Sequence, residues 1–72
     1  MADYQEKYDW YMNEVQSHHQ STAEGRLESI RAEYNFLDPP PAGLLTDTSC
    51  AEYWANNYDD NTGPWPPQPQ NQ

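Results

Sequence analysis

The histidines and the single cysteine are the side chains of this sequence best suited to metal binding or nucleophilic catalysis. Glu14 and His18 stand four residues apart, so both would reach one ion from a helix. The adjacent His18 and His19 would point about 100° apart on a helix and would not bind one ion together. Two ligands without a third make a poor metal site. We therefore expect no bound metal and no cofactor.

Cys50 is the only cysteine, which excludes an internal disulfide. A helix beginning beside Cys50 would lower the pKa of its thiol, but a nucleophilic thiolate also needs a neighbouring base. Both histidines belong to a different segment, and Asp47 and Glu52 oppose thiolate formation. A chain this short also offers few walls for a catalytic cleft. We expect that the protein is not an enzyme.

Carboxylates outnumber basic side chains by 12 to 3 among the 72 residues, and the formal net charge is −9. Such a chain repels nucleic acid and anionic membranes and is attracted to basic surfaces. The three Trp and six Tyr residues add side chains that supply contact area at protein interfaces. The composition therefore predicts binding to a basic protein surface, with no direct binding of nucleic acid or membrane.

Two sets of apolar side chains recur at helical spacing over residues 3–37. Between Val15 and Ala23 the spacing is one residue longer than a heptad, so a single straight helix would present two offset apolar patches. This offset favours a break between the two sets. The sets are Tyr4, Tyr8, Tyr11 and Val15, then Ala23, Leu27, Ile30, Tyr34 and Leu37.

A capping-box pattern at Ser21 and Glu24 locates the break. It predicts a turn over residues 17–20 and a second helix over about residues 22–37. The alternative is one continuous helix with a local stutter. The prolines within residues 38–41 end the helical segment in either case.

A second capping-box pattern, at Ser49 and Glu52, predicts a short third helix that ends near residues 56–58. The Pro- and Gln-rich end of the chain is typical of an extended, polyproline-like segment. The predicted fold is therefore all-α, with two antiparallel helices, or one long stuttered helix, plus a short third helix and an extended Pro-rich tail. We expect a small acidic helical domain over residues 1–60 and a tail over residues 61–72.

Acidic side chains fall in one sector of a helical projection of residues 3–33, with Trp10 among them. Carboxylates opposite an apolar stripe often form only a solvated face. The scarcity of Lys and Arg favours a functional role, because a solvated face usually carries both signs of charge. The predicted partner-binding residues are Asp3, Glu6, Asp9, Trp10, Glu14, Glu24 and Glu28, together with the aromatic residues Tyr53, Trp54 and Trp65.

In composition the chain resembles the small acidic inhibitors that bacteriophages direct against host polymerases, nucleases or defence complexes. The resemblance involves no shared motif. It implies a non-enzymatic inhibitor or modulator that occupies a basic, nucleic-acid-binding surface of a partner, as a nucleic-acid mimic. The alternative is a minor structural or assembly component of a virion that attaches to larger subunits through its aromatic segment and Pro-rich tail.

The N-terminus lacks the pattern of a secretory signal, and no apolar run approaches the ~20 residues of a membrane span. These features predict a cytoplasmic protein, in the host cytoplasm if it is viral. A chain of this length buries only about 60% of its unfolded surface. The thin core favours a homodimer.

Overall fold

Three helices account for the regular structure of the chain in a computed structural model that describes residues 2–34, 40–58 and 65–68. They are α1 (Tyr4–Val15), α2 (Ala23–Tyr34) and α3 (Asp47–Asn57). The predicted all-α fold is confirmed. A turn separates α1 from α2, so the chain forms two helices there and not one continuous helix.

Asp3 starts α1 through a reciprocal capping box. Its side chain accepts a hydrogen bond from the Glu6 N–H at 2.8 Å, and the Glu6 carboxylate accepts one from the Asp3 N–H at 3.4 Å. Each bond satisfies a backbone donor that the first turn of a helix leaves unpaired. The two carboxylates also lie at the positive end of the helix dipole, which favours negative charge.

The N-cap of α2 is Thr22, so the prediction that Ser21 caps this helix is wrong by one residue. The Thr22 hydroxyl accepts a hydrogen bond from the Gly25 N–H at 3.0 Å. A Cβ atom at Gly25 would lie 3.0 Å from that hydroxyl oxygen and 3.1 Å from Cβ of Gln20. Glycine therefore lets the turn before α2 approach the helix closely. The predicted extension of α2 from Tyr34 to Leu37 covers residues 35–37, which lie outside the described residues.

Helix α3 begins earlier than predicted. Its N-cap is Thr46, whose hydroxyl accepts from the Ser49 N–H at 3.1 Å while the Ser49 hydroxyl accepts from the Thr46 N–H at 3.1 Å. Ser49 is thus the third residue of the helix and not its cap. The end of α3 at Asn57 agrees with the prediction.

The most extensive helix–helix contact is between α1 and α3, and the least extensive is between α1 and α2. The indole of Trp54 lies at the centre of the core with no exposed surface, stacked against Tyr58 with ring centroids 4.8 Å apart. Tyr11 and Ile30 bring α1 and α2 to the same core and are also fully buried. The third helix therefore organises the core and does not merely cover its open side.

Trp65, within the predicted tail, packs against the core. The Trp65 ring lies 6.2 Å from the rings of Trp54 and Tyr58, and Pro67 is buried. The remaining tail positions, 61–64 and 69–72, fall outside the described residues. The predicted boundary between domain and tail stays a prediction, and Trp65 is the tail residue that contacts the core cluster.

Candidate functional site

Three exposed carboxylates lie along the first turns of α1, at Asp3, Glu6 and Asp9. Asp9 accepts a hydrogen bond from the Gln5 side-chain amide at 2.9 Å, whereas Asp3 and Glu6 form the capping box. Steps of three residues place them within about 120° of one another around the helix. We call these three residues the α1 acidic surface.

The other predicted acidic residues do not extend this surface along one helix. Glu24 and Glu28 are exposed on α2, beyond the turn. Both oxygens of Glu28 accept hydrogen bonds from Nη1 of Arg31, at 2.7 and 2.9 Å, which offsets its charge. The break between α1 and α2 therefore divides the stripe that a continuous helix would have carried.

Each of the three basic side chains of the sequence binds a group of its own chain. Lys7 Nζ donates to the Tyr58 carbonyl at 2.9 Å. Arg26 binds both carboxylate oxygens of Asp47, at 2.9 and 3.1 Å, and so joins α2 to the first turn of α3. Arg31 binds Glu28 as described. Lys7 contacts a neutral carbonyl and keeps its charge, but carboxylates outnumber basic side chains by 12 to 3, so the exposed carboxylates dominate the surface charge.

The predicted aromatic contacts are only partly available at the surface. The Trp10 ring is partly buried, stacked on Trp54 with centroids 4.9 Å apart and edge-on to Tyr34 at 5.1 Å. Trp54 has no exposed surface, so it offers no contact to a partner in this conformation. Tyr53 and Trp65 are partly exposed. Of the three predicted tryptophans, Trp54 is thus excluded from a contact surface, whereas Trp10 and Trp65 keep part of their surface exposed.

Glu14, the remaining acidic residue of the predicted stripe, belongs to a separate polar cluster around His18. His18 Nε2 lies 3.3 Å from Glu14 Oε1 and 3.2 Å from Glu33 Oε1. On the other side of the ring, Nδ1 lies 2.7 Å from the Ser29 hydroxyl. Tyr34 donates a hydrogen bond to Glu14 Oε1 at 2.9 Å, and burial together with this bond raises the pKa of the phenol.

Sequence reasoning found the pair of Glu14 and His18 but missed Glu33 and Ser29. These two residues lie on α2, and only the turn between the helices brings them to the imidazole. No local spacing in the sequence encodes that approach. Ligand atoms of Glu14, His18 and Glu33 all lie within 4.8 Å of one another, so three candidate metal ligands are present where the sequence indicated two.

Cys50 is fully buried, and its thiol faces the carbonyl oxygens of Ala23 at 3.9 Å and Leu44 at 3.7 Å. Burial raises the pKa of the thiol, opposite to the lowering that a helix start at Cys50 would have caused. Because α3 starts at Asp47, the cysteine lies inside the helix, within the core. A protonated, enclosed thiol is a packing group and a weak nucleophile.

Large apolar side chains are exposed at Tyr4 (44%) and Leu45 (72%) among the described residues. Homodimerisation, which a thin core favours, stays a prediction.

None of the described helices combines the length and apolar character needed to cross a bilayer. Comparisons with protein-family models, curated proteins and solved structures found no match to this chain.

Proposed function

We propose that this protein is a non-enzymatic inhibitor or modulator that binds a basic, nucleic-acid-binding surface of a partner protein. The observation that carries the proposal is the engagement of Lys7, Arg26 and Arg31 with groups of their own chain, in a protein of net charge −9. The exposed surface is left strongly anionic, and such a surface steers a basic partner toward encounter. Cytoplasmic location and viral origin are part of the same proposal.

The α1 acidic surface is the part of the molecule best suited to make the contact. Its carboxylates rise about 4.5 Å per step along the helix axis, of the same order as the ~3.4 Å axial rise per phosphate of one strand of duplex DNA. The capping box also holds Asp3 and Glu6 in defined positions, so a partner need not order them. These features favour imitation of a short run of phosphates by α1.

The alternative function, attachment to a virion through the aromatic segment and tail, draws less support from the contacts. It depends on the aromatic segment and the Pro-rich tail, which include Trp54 and Trp65. Trp54 is fully buried, and the Trp65 ring packs against Trp54 and Tyr58 within the same chain. An anchor engaged in its own core would have to leave that core before binding a partner.

The test of the proposal neutralises the α1 acidic surface while retaining its local hydrogen bonds. Asp3→Asn keeps a good N-cap, and Glu6→Gln keeps the capping box. Asp9→Asn keeps an acceptor for the Gln5 amide. The triple variant should retain the helix content of the wild type in circular dichroism, so that any loss of binding reports on charge.

The matched control is Glu24→Gln, Glu28→Gln and Glu52→Gln, which removes the same charge from exposed positions on α2 and α3. Each immobilised protein is used for affinity capture from a lysate at low and high salt, with duplex DNA as competitor. We expect the wild type and the control to capture a partner at low salt, and high salt or duplex DNA to displace it. The α1 variant should fail to capture this partner. Equal capture by the α1 variant and the wild type would refute the α1 surface as the contact.

A further inference from the structure

We infer that Glu14, His18 and Glu33 form a binding site for a divalent transition-metal ion, with Zn²⁺ as the fitting ion. The three ligands come from three parts of the chain: α1, the turn after it, and the last turns of α2. The inference does not depend on the proposed partner binding, which rests on other residues.

The distances between ligand atoms suit one ion. A tetrahedral zinc ion with bonds of about 2.0–2.2 Å holds its ligand atoms about 3.4 Å apart. His18 Nε2 lies 3.3 Å from Glu14 Oε1 and 3.2 Å from Glu33 Oε1, which matches two edges of such a tetrahedron. The third edge, between the carboxylates, is within 4.8 Å, and a rotation of the more exposed Glu33 side chain would close it.

Second contacts hold the ligands in position. The Ser29 hydroxyl, 2.7 Å from Nδ1, can accept a hydrogen bond from an Nδ1–H group, and in that tautomer Nε2 has a lone pair with which to bind a metal ion. The Tyr34 hydroxyl binds Glu14 Oε1 at 2.9 Å. Metal-binding histidines and carboxylates in proteins are oriented by contacts of this kind.

Burial distinguishes this cluster from an ordinary surface ion pair. The side chains of His18 and Glu14 are only 8% and 17% exposed, whereas Glu33 is 41% exposed. Two carboxylates facing one imidazole need a positive charge between them. A metal ion bound between these three ligand atoms would supply it.

The ligand types select the class of ion. An imidazole with two carboxylate oxygens suits Zn²⁺ and related transition ions, whereas Mg²⁺ and Ca²⁺ prefer all-oxygen sites with more ligands. Bound Zn²⁺ would connect α1 to α2, whose mutual contact is the least extensive of the three helix pairs. The ion would thus supply a cross-link that the chain, with one cysteine, does not obtain from a disulfide.

The experiment uses the full chain, freed of metal by a chelating resin and titrated with ZnCl₂ in a calorimeter. Thermal unfolding is followed in parallel by circular dichroism. The site predicts one Zn²⁺ per chain. At a free Zn²⁺ concentration about 100 times the dissociation constant, we expect the unfolding midpoint to rise by about 10–20 °C.

Glu33→Gln is the decisive variant, because this half-exposed residue can lose its charge without opening the core. We expect its Zn²⁺ affinity to fall at least tenfold. We also expect it to lose most of the rise in unfolding midpoint that Zn²⁺ causes in the wild type. Glu24→Gln on the same helix removes the same charge from an exposed position and should bind as the wild type does. His19→Gln should also bind Zn²⁺ as the wild type does. His18→Gln should abolish binding if the variant folds.

Three results would overturn the inference. One is the absence of Zn²⁺ binding by the wild type at micromolar concentrations, which would leave the cluster as a polar contact between the helices. Another is equal Zn²⁺ affinity in Glu33→Gln and Glu24→Gln, which would show that the ion binds the acidic chain at large. A midpoint rise with Mg²⁺ as large as that with Zn²⁺ would refute the transition-metal assignment.

Discussion

Replacement of Trp65 by alanine tests whether the Pro-rich segment belongs to the folded core. Truncation of a fully buried Trp to Ala costs about 3–5 kcal/mol, and Trp65 is partly buried, so we take about half of that cost, ~2 kcal/mol. The alanine variant would lose contacts with three aromatic neighbours, Trp10, Trp54 and Tyr58, whose ring centroids lie 6.2–6.4 Å from that of Trp65. In a domain of this size, such a loss lowers the thermal midpoint by about 8–16 °C.

Far-UV circular dichroism of wild type and Trp65→Ala during heating measures this midpoint through the helices, which contain no residue of the mutated segment. Gln68→Ala is the control, because this exposed side chain bonds only the nearby Pro66 carbonyl among the described contacts. Gln68→Ala should change the free energy of unfolding by no more than about 0.5 kcal/mol, as ordinary surface substitutions do, so its midpoint should stay close to that of the wild type. An unchanged midpoint in Trp65→Ala would refute the packing of Trp65 on the helices as a source of stability.

Two further predictions concern the cap of α2 and the buried phenol. Thr22→Ala should destabilise the protein by about 1 kcal/mol in urea unfolding and Ser21→Ala by much less, because Thr22 accepts the Gly25 N–H; the reverse order would contradict the assigned cap. Burial raises the pKa of Tyr11 above its ordinary 10.0, so the unfolded chain ionises first and stability falls as the pH rises beyond about 10. In Tyr11→Phe the urea midpoint should fall less steeply from pH 9 to 11 than in the wild type. An equal fall in both proteins would contradict ionisation of Tyr11 as the cause.

The sequence predicted the existence and type of the helices better than their ends. The apolar spacing indicated α1 and α2, and the offset between Val15 and Ala23 correctly indicated the break. The caps were displaced because several hydroxyl residues compete at each helix start. At α3 the cap is Thr46, and the first-turn residue Asp47 also pairs with Arg26 of α2, a tertiary contact that no capping motif contains.

The candidate sites were less predictable, because they depend on which helix packs on which. Glu33 joins His18 only after the turn sets the direction of α2. Trp54 was expected to contact a partner, since a large aromatic in a short helix has the same local pattern whether it faces solvent or core. The α1 acidic surface was accessible to sequence reasoning, because its geometry follows from one helix alone.

The pairing of α1 mainly with α3 has a consequence for the order of folding. Residues 16–46 separate these two helices along the chain. Closing a loop of about 30 residues costs about 3 kcal/mol in chain entropy beyond a constant term, before any contact between the two helices forms. Bundles whose neighbouring helices pack first avoid much of this cost and fold rapidly. For this chain the rate of folding should therefore depend on the encounter of distant aromatic side chains, Tyr11 with Trp54, more than on the intervening helix α2.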